Sequence, residues 1–176
     1  ERFIREVDTL ARLDHPAIVR VLSGGDDSEK GVLYLFMDYI EGEDLETRLK
    51  KGPLSTAQTY NLMRQVVSGL AHSHARGVTH RDIKPANILL NEQLSPKISD
   101  FGLARPVGEH ESDTAYGTPG YTAPEVVHNP SAVDESTDLY SVGVMLYELL
   151  TSKRPEQLYM PVANLVQCDP RFDDII

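Results

Sequence analysis

His80-Arg81-Asp82-Ile83-Lys84-Pro85-Ala86-Asn87 places a carboxylate, an ammonium group and an amide oxygen within the six residues from Asp82 to Asn87. Upstream, Ser55 with Gln58 three residues on matches a capping box. Met63, Val66, Val67, Leu70, Ala71 and His74 then trace one helical face until Gly77 stops it. Downstream, the short apolar runs Asn87 to Leu90 and Lys97 to Ile98 flank Asn91-Glu92-Gln93, as in a hairpin. The quoted segment therefore reads as a loop between a helix and a hairpin, placed so that it can face one polyanionic ligand. Thirteen residues after Asn87 comes Asp100-Phe101-Gly102, a second carboxylate whose glycine permits a backbone turn beside a bound ion. Two oxygen ligands plus phosphates suit Mg²⁺, which sheds water reluctantly and binds through one or two carboxylates together with substrate oxygens.

Farther out, Phe3, Ile4, Val7, Leu10, Ala11 and Leu13 recur at helical spacing, and Asp14-His15-Pro16 ends that pattern. Ala17 to Leu22 and Val32 to Met37 are β-rich runs joined by the turn-forming Ser23-Gly24-Gly25-Asp26-Asp27-Ser28, which predicts an antiparallel pair. Gly42 and Gly52-Pro53 punctuate the chain between Met37 and the capping box. Residues 102–124 form a stretch rich in Gly, Pro, Ser and Thr. Leu139, Val142, Met145, Leu146, Leu149 and Leu150 then mark a strongly apolar helix that ends before Arg154-Pro155.

With 176 residues and 40% hydrophobic content, the chain has apolar material for one sizeable core, hence one domain or most of one. A net charge of −10 provides no basic field for phosphate backbones or anionic headgroups, which disfavours nucleic-acid partners and direct membrane contact. No apolar run approaches the roughly 18 to 20 residues that cross a bilayer. The lone Cys168 cannot form an internal disulfide or a thiolate cluster, which fits a reducing, cytoplasmic setting; it reads as a small buried hydrophobe. His72 and His74 are two apart on a helix and face different ways, so a zinc site is rejected. Glu1 without an initiator Met or apolar leader, and the Asp174-Ile175-Ile176 end, read as cuts rather than natural termini.

Phosphoryl transfer asks for a metal at the triphosphate, a cation beside it and a carboxylate that orients the attacking hydroxyl. In order and spacing, the segments above resemble the catalytic domain of eukaryotic-type serine/threonine protein kinases, and the resemblance covers essentially the whole chain. It implies an α+β, two-lobed fold: residues 1–37 a partial small lobe with its helix C and two strands, 38–44 the hinge, and 45–176 a large lobe incomplete at its C-terminal end. Asp82 would be the catalytic base, Lys84 the γ-phosphate partner, and Asn87 and Asp100 the Mg²⁺ ligands. Glu6 looks like the helix acid that pairs with an ATP-holding lysine. Met37 resembles the gatekeeper and Asp38-Tyr39-Ile40 the hinge that meets adenine, with Asp44 a ribose ligand and Leu89 the adenine floor. Ala123-Pro124-Glu125 would close the activation segment, Asp138 would support the catalytic loop, and Leu10, Val21, His80 and Phe101 match a stacked apolar spine.

Two features of the resemblance point to serine and threonine rather than tyrosine: Lys84, two residues after the base, and Gly117-Thr118-Pro119-Gly120-Tyr121, which resembles the substrate-docking loop with Thr118 bonded to Asp82 and Lys84. Arg81 and Arg105 would contact an activating phosphate, with Thr114 the main site and Ser112 a second. The run Glu109 to Asp113 has no apolar period and reads as a mobile loop. The expected cofactors are ATP and Mg²⁺, and the expected partners are protein substrates carrying Ser or Thr, with dimerisation for activation-loop phosphorylation. The glycine-rich loop and strand lysine of the family have no counterpart in this sequence, so the isolated segment is expected to be marginally folded and nearly inactive. Tyr140 and Ser152, where Trp and Gly are frequent, resemble bacterial members. The rival readings are a pseudokinase acting as a binding or scaffold module and a small-molecule kinase; Asp82, Asn87 and Asp100 argue against the first, and the docking segment up to Glu125 against the second.

Overall fold

In the computed structural model, which describes residues 2–27, 29–101, 117–129, 133–155, 159–174 and 176, the N-terminal apolar pattern forms helix α1 (Arg2–Leu10). Val7 and Leu10 are buried, as is Leu13 just beyond the helix. The pattern predicts helix as far as Leu13, but the chain leaves it three residues earlier in a turn closed by the Leu13 N–H on the Leu10 carbonyl at 3.0 Å. His15 fixes this exit, because its Nδ1 accepts the Ala17 N–H at 3.1 Å.

Strands β1 (Val21–Asp27) and β2 (Val32–Met37) pair antiparallel, from Val21 opposite Met37 to Asp27 opposite Val32. This corrects two expectations. Ser23 to Asp27 are strand rather than turn, and Ala17 to Val19 pair elsewhere: the Val19 N–H donates to Ile98 O at 2.9 Å, and the Ile98 N–H to Ala17 O at 2.8 Å. The two glycines mislead because they serve close packing rather than a bend. A Cβ on Gly24 would stand 2.8 Å from Tyr34 O and 3.0 Å from Val7 Cγ2, so its absence lets α1 and β2 close on β1.

A second sheet, ordered β3-β4-β5, is built from β3 (Gly42–Asp44), β4 (Ile88–Asn91) and β5 (Pro96–Ile98), all antiparallel. The hairpin β4–β5 was legible in the sequence; β3 was not. At Gly42 a Cβ would lie 1.9 Å from Leu90 O, so only glycine admits this pairing. Helix α2 (Leu45–Lys50) follows β3 directly, capped by Asp44.

The capping box at Ser55 and Gln58 is present, with both reciprocal hydrogen bonds, and opens α3 (Thr56–His74). Its buried stripe runs through Leu62, Met63, Val66, Gly69, Leu70 and Ser73, while Val67 and Ala71 are exposed. The predicted face is thus displaced toward solvent: two of its members sit at the edge of a stripe that packs on β5 and the next long helix. After the short α4 (Pro124–His128), which has Pro124 in its first turn, α5 (Glu135–Thr151) starts at the Asp134 cap. Val144, Met145, Leu146 and Leu149 are buried on it as its apolar composition predicts, but Leu139 is exposed. The core lies where α3, α5 and the second sheet meet, around Leu62, Val66, Leu70, Ile83, Ile88, Ile98 and Met145. The architecture is α+β, as expected. Cys168 is half-buried rather than buried. Among the described residues, no helix is long and apolar enough to cross a membrane.

Candidate active site

The loop from His80 to Asn87 takes its shape from partners outside itself. Asp138, only 1% exposed on α5, accepts the His80 N–H on Oδ2 and the Arg81 N–H on Oδ1, each at 2.8 Å, and its Oδ2 lies 2.7 Å from His74 Nε2. Receiving two consecutive N–H groups on one carboxylate leaves Arg81 at φ 75°, a left-handed conformation that costs a non-glycine residue. Charge-assisted hydrogen bonds offset that strain. His80 is fully buried. Its Nδ1 accepts the Asp82 N–H at 3.2 Å, so the ring proton sits on Nε2 and is donated to Ser99 O at 2.8 Å. Burial pushes the His80 pKa below its ordinary value, although the Ser99 carbonyl and the nearby carboxylates pull the other way. The neutral ring packs on Phe101 with 4.7 Å between centroids; Leu10 and Phe101 share one buried cluster, with Val21 against it.

Thr118 sits in the centre of the loop's polar face. Its hydroxyl donates to Asp82 Oδ1 at 2.7 Å and accepts from Lys84 Nζ at 2.7 Å, while Nζ also lies 2.7 Å from Asp82 Oδ2. Asn87 is buried, and its Nδ2 donates to the Asp82 carbonyl at 2.8 Å and to Asp82 Oδ2 at 3.2 Å. Both partners are acceptors, so the amide nitrogen must face Asp82 and Oδ1 is presented on the other side. The Asn87 carbonyl accepts the Ser99 N–H at 2.9 Å, which draws in the neighbouring Asp100. Asp100 is exposed at φ 58° and its Oδ2 accepts from the Ser99 hydroxyl at 3.1 Å. Residues 82, 87 and 100 are therefore joined in one hydrogen-bonded cluster. The amide oxygen of Asn87 and the carboxylate of Asp100 are hard donors of the kind that fit Mg²⁺ beside phosphate oxygens.

Of the remaining expected residues, Met37 lines a cleft that reaches Asp100. Met37 ends β2, Ile40 is half-buried, and Leu89, half-buried in β4, stands opposite Asp44 in the sheet register. Asp44 has a task unforeseen in the sequence: its Oδ1 accepts the Thr47 N–H at 2.7 Å and its Oδ2 the Thr47 hydroxyl at 2.8 Å, capping α2. Burial works to raise its pKa, but the Thr47 hydrogen bonds outweigh that and hold it below the usual carboxylate value. Glu6 is half-buried on α1. A narrow cleft lined by Leu10, Leu35, Met37, Ser99, Asp100 and Phe101 separates α1 and the first hairpin from β5. Arg81 is exposed, whereas Gly102, Arg105, Ser112, Thr114 and the Glu109 to Asp113 run lie outside the described residues.

Three partners were missed in the sequence. His74 reads there as an ordinary residue near a helix end, yet it meets Asp138. Ser99, between Ile98 and Asp100, carries no periodic signal. The Tyr121 hydroxyl donates to the Glu148 carboxylate, and burial together with that bond pushes the phenol pKa well up. The Ser141 hydroxyl donates to Tyr121 O at 2.8 Å, and the Arg154 guanidinium lies 5.8 Å from the Tyr121 ring centroid, so the stretch 117–121 is held from α5 and the turn beyond it.

Among known proteins, the chain is 39% identical over 166 residues to the probable serine/threonine-protein kinase pknA2 of Bifidobacterium longum, covering 92% of this chain and 22% of that protein. It is 36% identical over 158 residues to serine/threonine-protein kinase PrkC of Bacillus subtilis, covering 88% and 24% respectively. To serine/threonine-protein kinase PkaA of Streptomyces coelicolor it is 42% identical over 161 residues, covering 88% and 29%. The chain thus spans about a quarter of the length of the curated relatives it matches. A family model described as the protein kinase domain matches residues 1–163, nearly the whole chain, and the chain belongs to that family.

Proposed function

We propose that this domain, within a longer polypeptide, transfers the γ-phosphoryl group of ATP to serine or threonine hydroxyls of proteins. The observation that carries this reading is the Thr118 hydroxyl held 2.7 Å from both Asp82 Oδ1 and Lys84 Nζ: a hydroxyl fits between carboxylate and ammonium there. Asp82 orients the attacking hydroxyl and accepts its proton, and Lys84 stabilises charge on the group in transfer. Asn87 Oδ1 and the Asp100 carboxylate would hold Mg²⁺, which would supply charge neutralisation at the triphosphate. Asp138 contributes by fixing the backbone on which Asp82 is carried, since positioning accounts for much of this type of catalysis.

In the same reading, Glu6 pairs with a lysine that holds ATP, Met37 and Ile40 line the adenine site above Leu89, and Asp44 faces the ribose with the lone pairs that Thr47 leaves. Residues 1–37, 38–44 and 45–176 act as small lobe, hinge and large lobe. Arg81 and Arg105 receive a phosphate on Thr114, with Ser112 as a second site, added by a partner copy in a dimer. The acidic charge and the single cysteine support a cytoplasmic domain that does not bind nucleic acid.

The test is Asp82→Asn in the full-length protein. Its kcat on a serine- or threonine-containing peptide is expected to fall by about 10²- to 10⁴-fold, with ATP affinity within about twofold of wild type. An unchanged kcat would remove Asp82 from this role.

A further inference from the structure

The Ser99 hydroxyl is 4% exposed and has one proton to give, with two acceptors in reach: the Asn87 carbonyl at 3.2 Å and Asp100 Oδ2 at 3.1 Å. The Asn87 carbonyl already accepts one hydrogen bond, from the Ser99 N–H at 2.9 Å. An ionised carboxylate is also the stronger acceptor. The proton therefore goes to Asp100, whose side chain stands exposed on a left-handed backbone. An exposed aspartate that must order itself around an ion loses rotamer entropy on binding. A buried donor beside it removes part of that loss in advance by holding one oxygen and leaving the other for a ligand. The same residue binds the Asn87 backbone through its N–H, so one residue sets the relative placement of both oxygen donors.

We propose that Ser99 is a positioning residue that sets the divalent-cation affinity of the site by holding the Asp100 carboxylate in place relative to Asn87. This rests on the reading of Asp100 and Asn87 as cation ligands. Partners that orient a metal ligand change affinity by about ten- to a hundredfold when removed.

The experiment titrates Mn²⁺ into full-length protein at saturating ADP and follows protein-bound Mn²⁺ by water-proton relaxation. Ser99→Ala is expected to weaken Mn²⁺ binding about tenfold, and Ser99→Thr, which keeps the hydroxyl, to restore it. The KM for the peptide stays unchanged in both. Ser99→Cys, similar in size but a weak donor, behaves like Ser99→Ala and decides the matter if the alanine variant does not fold. Equal Mn²⁺ affinity in the wild type and in the variants lacking the hydroxyl overturns the proposal. Wild-type Mn²⁺ affinity in Asp100→Asn overturns the cation-ligand reading instead, so the two failures are distinguishable.

Discussion

Among the described residues, the two antiparallel hairpins contrast sharply in burial. In β1–β2, Leu22, Val32, Leu33, Tyr34 and Phe36 are 42–59% exposed, whereas in β4–β5 Ile88, Leu90 and Ile98 are at most 1% exposed. Burial alternates along β4, so a one-residue slip would turn Ile88 and Leu90 out of the core; its register is fixed by hydrophobic burial. Along β1 and β2 the alternation is lost, and the pairing requires side chains to be absent at Gly24 and Gly25, where a Cβ would strike Tyr34. The groups of the candidate site hang on the buried hairpin: Asn87 leads directly into β4, and Asp100 follows β5 one residue after Ser99.

The contrast can be broken at its strongest point first. Asp138→Asn keeps the shape but sets an amide NH₂ against one of the two backbone N–H groups, and is expected to lower stability by about 3–5 kcal/mol in urea unfolding, as when one partner of a buried charged network is removed. A loss below about 1 kcal/mol would mean that the loop holds its own shape. A matched pair comes next. Ile98→Ala is expected to cost about 3 kcal/mol by cavity formation, and Leu22→Ala in the outer hairpin less than about 0.5 kcal/mol; similar losses would erase the distinction between the hairpins.

Acid supplies the smallest and most selective test. His80 has its folded-state pKa below the ordinary 6.5, so the unfolded chain takes up a proton that the folded one refuses. Stability is then at its full value above pH 6.5 and falls as pH drops below it, by at most about 1.4 kcal/mol per pH unit for that proton. His15, depressed by burial and by the neighbouring His72 and Lys97, acts in the same direction. Residues 21–37 contain no histidine. Urea midpoints that stay flat from about pH 7.5 to 5.5 would contradict a neutral, buried His80.

What was legible in the sequence was whatever depends on local spacing. The capping box at Ser55, the β4–β5 hairpin, the apolar α5 and the Asp82–Lys84–Thr118 arrangement all come from residue types at fixed offsets or from the family resemblance they carry. What escaped depends on partners distant in the chain. Gly24 and Gly25 have turn composition, and only Val7 and Tyr34 reveal them as strand. Gly42 looks like a break until Leu90 stands against it. His74 acquires its role from Asp138, 64 residues away, and Asp44 acts as a cap because a helix starts beside it.

The way Asp138 holds its neighbours has a further meaning for anyone wishing to reuse this chemistry. Residues 80–87 are not a portable cassette. Moved alone into another scaffold, they would leave behind the α5 carboxylate that receives the His80 and Arg81 amides, the Ser99 amide on Asn87 and the Thr118 hydroxyl between Asp82 and Lys84. Arg81 would relax from its left-handed backbone, and Asp82 would lose its aim with it. A transplant would have to carry three distant stretches of chain as one unit, and such a unit is most of the domain.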